Sequence, residues 1–340
     1  MKKIPVEEAV GQTLCHDLTA ILDNGFKGVK FKRGHIITKD DIPELLNIGK
    51  SHIFIWDPAA DEVHEDDAGL AIAKVLCGDN LTFSGPQEGK YQVSALKKGL
   101  FYVNSQALKK INSIGDYTVA CRPNRTAVSA GESVAGARIV PLVTKRDNVT
   151  KAVKIATKYA PVLELKPFLP LKIGIIITGS EIYYGRIKDQ FEPIMRKKLE
   201  FYGADILGVS KCPDDLEHLG SLINYYQQQG ARLILLTGGM SVDPDDLTPT
   251  AIKNSGASLI TQGVPIQPGN MLTIAYLGDC LLIGVPGASM HSEYTSLDIF
   301  LPRIFVGEKI SCDEIAGLGE GGFCMKCKEC HYPICYFGRK

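Results

Sequence analysis

Three short runs place threonine, glycine and proline where apolar, β-branched stretches end. They are Thr178-Gly179-Ser180-Glu181, Thr237-Gly238-Gly239-Met240-Ser241 and Val285-Pro286-Gly287-Ala288-Ser289. Loops of this composition let backbone N–H groups approach an anion, and a helix starting just after them adds its positive end. Acidic residues crowd the same stretches: Glu181 after the first, Asp243, Asp245 and Asp246 after the second, and Asp214 and Asp215 opening a further helix. Carboxylates repel phosphate unless a divalent cation lies between them. Mg²⁺ is typically held by one or two carboxylates together with phosphate oxygens and waters. The combination points to a phosphate-bearing ligand handled with Mg²⁺. Local roles compete for some of these acids: Asp214 or Asp215 as a helix cap, Asp243 and Asp245 as turn formers around Pro244. Glu181 and Asp246 each end a glycine loop and are harder to assign to local structure.

A second constellation lies at the carboxyl end. Cys324, Cys327, Cys330 and Cys335 have the spacing C-x₂-C-x₂-C-x₄-C within residues 321–340. Four thiols so spaced read as a metal site in a reducing compartment. Three of them two residues apart resemble iron–sulfur ligation, and four thiolates also hold Zn²⁺. The preceding LGEGG reads as a flexible joint. A segment this short, with no core of its own, is expected to depend on its metal and to be separable from residues 1–319. Cys15, Cys77, Cys121, Cys212, Cys280 and Cys312 are scattered and read as buried or inert.

The elements that must position these residues follow from hydrophobic period. IGIIIT (173–178), ADILGVS (204–210) and RLILLT (232–237) read as strands, the first covered on both faces. Helices are expected after Asp189, over 214–230 and over 248–256, with a hairpin at 271–286 turning at Gly278-Asp279 and a final helix over 288–306. Strands alternating with helices imply a mainly parallel sheet in an α/β domain over 173–310. In such sheets the carboxyl ends of the strands line one crevice, and three glycine loops there are more specific than one. Residues 1–160 read differently. Strand, helix, strand is expected over 31–57, a helix over 59–78, short β runs over 81–144 and a helix over 145–160, making a smaller α+β, β-rich region. Residues 161–172 read as a proline-marked linker.

Composition excludes several classes. Lys and Arg number 38 against 38 Asp and Glu, so no net basicity argues for nucleic acid and no polybasic block argues for a membrane surface. MKKIPVEEAV has no apolar core after its lysines and does not read as a signal peptide. PLKIGIIITG is too short to span a bilayer. A cytoplasmic protein is expected.

Four segments then carry a resemblance: IGIIITGSEI, LILLTGGMSVDPDD, IQPGNM and LIGVPGAS. In order and spacing they resemble the cofactor-binding domain of molybdopterin molybdenumtransferases (molybdenum insertases) and molybdopterin adenylyltransferases, over about residues 170–306. The resemblance implies binding of adenylylated molybdopterin, insertion of molybdate and release of AMP with a divalent cation. Thr178, Gly179, Ser180, Thr237, Gly238, Gly239, Ser241, Pro268, Gly269, Pro286 and Gly287 would cradle the ligand. Glu181, Asp214 and Asp246 would carry the catalytic chemistry, with Glu181 and Asp246 on Mg²⁺. It also implies a homo-oligomer, because the insertases complete their site with a neighbouring subunit. The chain departs from the insertases in two places. Their Asp-x-Ser-x-x-Asp-Gly-Tyr-Ala signature is absent from residues 1–165, and the lysine of their Pro-Gly-Lys-Pro motif is Asn270. The alternatives are a carrier or sensor that delivers molybdopterin to a client molybdoenzyme, an adenylyltransferase, and a Mg²⁺-dependent nucleotide enzyme of similar architecture.

Overall fold

The computed structural model describes residues 1–21, 25–55, 59–240 and 246–339. The chain divides into two compact units. The first is Met1–Lys97 with Phe101–Asn124 and Ala130–Leu165; the second is Lys166–Lys340 with Lys98–Leu100 and Arg125–Ser129.

The first unit is α+β and β-rich. Lys2–Pro5 pairs antiparallel with His52–Ile55, and Leu18–Ile21 with Lys27–Phe31. Val6, Leu14, Ile37 and Leu45 form the small core beside them. A four-stranded antiparallel sheet follows, in the order Leu81–Gln87, Lys90–Ala95, Ser133–Ile139, Tyr117–Cys121. Two expectations need correction. Residues 59–78 are not one helix: the strand Glu62–His64 precedes the helix Glu65–Leu76, whose cap is the His64 ring accepting from Asp66 N. The expected linker 161–172 contains a strand, Leu163–Pro167, because Val162, Leu163 and Leu165 are wholly buried.

The second unit is a three-layer α/β domain. Its six-stranded sheet has the order Asp205–Cys212, Lys172–Thr178, Leu233–Thr237, Cys280–Val285, Thr273–Leu277, Ser258–Gln262. The first four strands run parallel and the last two antiparallel to their neighbours. Side chains alternate across a strand, so Ile173, Ile175 and Ile177 enter one core with Phe191, Met195, Leu297 and Phe300. Ile176 enters the other, with Leu219, Ile223 and Ile252. Helices therefore cover both faces, as the unbroken apolar run IGIII requires. The helix Leu216–Gln228 starts at Asp215, whose Oδ1 accepts from His218 N at 2.7 Å. The helix Phe191–Glu200 starts after Asp189, which accepts from the N–H groups of Phe191 and Glu192. The final helix over 288–306 is two pieces, a short 3₁₀ turn Gly287–Met290 and the helix Ser296–Ile304. The second piece begins afresh because Thr295 and Asp298 form a reciprocal capping box.

The tail is also different from expectation. It is packed onto this unit: Phe337 is 4% exposed in the apolar core that holds Phe300, and Tyr332 rests against the same core. Its backbone continues the fold, with Gln267 N donating to Gly322 O and Cys324 N to Gln267 O, both at 2.8 Å. The short segment needs no core of its own because it borrows one.

Candidate functional site

Strand register brings the glycine loops together. Ile177 pairs with Thr237, Thr237 with Val285 and Thr178 with Cys212, so four parallel strands end at one level. The loops that follow, at Gly179, Gly238, Pro286 and Pro213, share that edge. The backbones of the first two come into close approach. Gly238 has φ +87°, and a Cβ there would lie 2.2 Å from the Thr178 carbonyl oxygen. Gly239 has φ +53°, with its Cβ direction 3.0 Å from Thr248 Oγ1. Only glycine takes both positions at little cost. Thr248 Oγ1 donates to Gly238 O at 2.9 Å and lies 3.5 Å from Thr178 Oγ1, tying both loops to the start of the helix Thr248–Asn254. Thr237 is fully buried, and its hydroxyl has no hydrogen-bond partner among the described residues. A buried hydroxyl left unpaired costs about 1–3 kcal/mol.

The other two motifs join the same framework. Ser289 Oγ lies 3.2 Å from Thr295 Oγ1, and Ser296 Oγ donates to Gly269 O at 2.6 Å. Ser296 N donates to Pro268 O. Gly269, at φ +101°, would put a Cβ 2.6 Å from Ser296 Oγ. The Pro268-Gly269 turn is thereby locked to the Pro286–Ser289 turn through Thr295 and Ser296. Sequence reasoning missed Thr248, Thr295 and Ser296; the Thr-x-x-Asp capping box was the readable signal for the last two.

The acids behave individually. Asp214 Oδ2 accepts from Ser180 N at 2.8 Å, and Asp214 N donates to Ser180 Oγ at 3.3 Å. Asp214 thus fixes the first glycine loop, while Asp215 is the helix cap. Glu181 is exposed and folds over its own loop, its Oε1 2.8 Å from where a Gly179 Cβ would stand. Asp246 is half-buried at the end of the second loop. Ser241, Asp243 and Asp245 lie outside the described residues. Arg186, shortly after the first loop, places its guanidinium 5.7 Å from the centre of the Tyr184 ring. In the tail, Cys324 and Cys335 are half-buried and Cys327 and Cys330 exposed. Among the described residues no group of three or more His, Cys, Asp or Glu is gathered that could hold a metal ion, in the tail or at the crevice. Of the scattered cysteines, burial pushes Cys77 and Cys212 up to about 11 and Cys280 to about 12, which keeps their thiols protonated. Cys312 is exposed.

A family profile described as a probable molybdopterin binding domain matches residues 174–305, the stretch that contains all four loops. Residues 174–305 are similar to that family. A second profile, a domain of unknown function, matches residues 3–57. Among curated proteins, the molybdopterin molybdenumtransferase of Synechococcus elongatus is 26% identical over 176 residues, 49% of this chain and 43% of that protein. The molybdopterin molybdenumtransferase of Bacillus subtilis is 28% identical over 139 residues, covering 39% of this chain and 32% of its own length. The chain thus spans less than half the length of these relatives. Among solved structures, the molybdopterin biosynthesis enzyme MoaB of Thermus thermophilus is 20% identical. That alignment covers 43% of this chain and 97% of MoaB, with a TM-score of 0.35. No helix among the described residues is long and apolar enough to cross a membrane.

Proposed function

We propose that this molybdopterin-binding domain holds a pterin phosphate at the carboxyl ends of its parallel strands and works in molybdenum-cofactor biosynthesis. The reaction is insertase-like: adenylylated molybdopterin and molybdate are taken up, molybdenum enters the dithiolene, and AMP leaves with the help of Mg²⁺. The observation that carries the reading is the approach of Gly238 to the Thr178 carbonyl beside the Thr237 hydroxyl, which has no partner among the described residues. It makes a backbone cradle with no room for a side chain and one donor in reserve, which suits an anion. In this reading Thr178, Gly179, Ser180, Gly238 and Gly239 hold the phosphate, and Pro268, Gly269, Pro286 and Gly287 flank the pterin. Asp214 acts through Ser180 as a positioning residue. Mg²⁺ needs one or two protein carboxylates once phosphate oxygens complete its shell. Glu181 and Asp246, each ending a glycine loop, fit that donor set. A homo-oligomer belongs to the same reading.

A second reading, a non-catalytic carrier or sensor serving a client molybdoenzyme, is favoured by the amino-terminal half. Residues 3–57 match a domain of unknown function, and the insertase signature is missing from residues 1–165. The two readings separate when the purified chain is incubated with adenylylated molybdopterin, molybdate and Mg²⁺. Mg²⁺-dependent AMP release supports the insertase. Retention of the adenylylated pterin without AMP supports the carrier. Neither retention nor release overturns both.

A further inference from the structure

The cysteine tail is fastened to one of the four site loops. Gln267 sits between the two: its N–H and carbonyl pair with Gly322 and Cys324, and the next residues are Pro268 and Gly269. Tyr332 OH donates to Asp298 O at 3.0 Å, and its ring lies 4.5 Å from that of Tyr294, on the segment leading into Ser296. The Pro268-Gly269 turn is therefore held from one side by Ser296 and from the other by the tail. The tail is a closed loop, since Gly338 N donates to Gly321 O and Arg339 N to Tyr336 O. Within it Lys326 N donates to Cys324 Sγ at 3.5 Å, and Lys326 takes φ +51° to do so. A non-glycine residue in that region carries about 1–2 kcal/mol of strain, retained where a backbone N–H must face a particular atom. An N–H aimed at a cysteine sulfur is what a thiolate metal ligand requires of its surroundings.

We propose that Cys324, Cys327, Cys330 and Cys335 bind one thiophilic metal centre, zinc or iron–sulfur, and that the loaded tail is a clasp that holds the Pro268-Gly269 turn in its site conformation. Cys327 and Cys330 are exposed and move onto the metal; Cys324 and Cys335 are already seated against the core. The metal does not make the tail fold, since Phe337 and Tyr332 anchor it. It stiffens the arc between Cys324 and Cys335, which begins one hydrogen bond away from Gln267. The consequence for pterin affinity rests on the function proposed above; the metal and the stiffening do not.

The test uses the full chain, purified anaerobically, beside the double variant Cys327→Ser, Cys330→Ser, which leaves the seated residues intact. Elemental analysis is expected to give one zinc, or the iron of one cluster with visible thiolate–iron absorption, per chain, and none in the variant. Hydrogen exchange at Gln267 and Cys324 is expected to run at least tenfold faster in the variant, with exchange across Lys172–Thr178 unchanged. Wild-type protein carrying neither metal, with four titratable thiols or two disulfides in the tail, would overturn the metal centre. Equal exchange at Gln267 and Cys324 in a loaded wild type and a metal-free variant would overturn the clasp, whatever the pterin does.

Discussion

Ser180 and Asp214 bond to each other twice, Ser180 N to Asp214 Oδ2 at 2.8 Å and Asp214 N to Ser180 Oγ at 3.3 Å, from loops that follow adjacent strands. Asp214 shapes the first glycine loop through Ser180. Asp214→Ala leaves the Ser180 N–H without its acceptor, at a cost of about 1–3 kcal/mol. It is expected to weaken pterin binding as the loop loosens. Asp215→Ala removes only a helix cap, at about 1 kcal/mol, and is expected to leave binding unchanged. Denaturant unfolding and equilibrium binding on both variants check the contrast; equal binding losses would remove Asp214 from its positioning role.

Asp246 is the acid at the end of the second glycine loop. Asp246→Asn keeps the volume and removes the charge. Changes around metal ligands cost roughly 10–100-fold, so at least a tenfold drop in Mg²⁺-dependent AMP release is expected, partly recovered at high Mg²⁺. Turnover equal to wild type across a Mg²⁺ titration would rule this acid out as a ligand.

Most of the second unit was legible in the sequence because its signals are local. The unbroken run at 173–178 needs cover on both faces, and Asp215, Gly203, Pro249 and Gly278-Asp279 mark helix and hairpin ends by their own chemistry. What stayed hidden depends on partners distant in the chain. Gly238 is required by the carbonyl of Thr178, and Gly269 by Ser296, neither of which a window around the glycine reveals. The acids are the clearest case. Their spacing suggested one shared cluster, yet Asp214 is engaged by Ser180 and Asp215 by its helix. The tail misled for the opposite reason: its cysteine spacing and glycines read as an autonomous module, while Tyr332 and Phe337, which dock it, are only two residues of ordinary type.

Glu314 accepts from Arg303 and Arg125, at 2.9 and 3.0 Å. Burial opposes its charge, but the two guanidinium groups win and hold its carboxyl down to about 2, from an ordinary 4.5. A carboxyl depressed on folding contributes stability above its unfolded value, and the contribution is lost as pH falls toward the folded one. The loss therefore runs from pH 4.5 down to about 2. Glu314→Gln is expected to be less stable than wild type at pH 7 and to show a flatter acid limb across that window. Parallel acid-unfolding curves for the two proteins would contradict the assignment.

Phe337 closes one end of the apolar core of the second unit. Truncating a buried phenylalanine costs about 3–5 kcal/mol, so Phe337→Ala is expected to destabilise this unit by that order and to free the tail to proteolysis. Removal of residues 320–340 is expected to destabilise it further, contrary to a detachable module. An unfolding midpoint unchanged in both proteins would show that the packing contributes nothing.

The central claim is that a phosphate-bearing pterin lies against the backbone where Gly238 meets Thr178. Equilibrium binding of molybdopterin to the wild-type chain and to Gly238→Ala and Gly239→Val, each confirmed folded by circular dichroism, tests it most directly. A Cβ at Gly238 meets a carbonyl at 2.2 Å, and one at Gly239 meets Thr248 at 3.0 Å. The account predicts measurable binding by wild type, at least a hundredfold loss in Gly238→Ala and a smaller but clear loss in Gly239→Val. Wild-type affinity in a folded Gly238→Ala protein, or no binding by the wild-type chain, would contradict it.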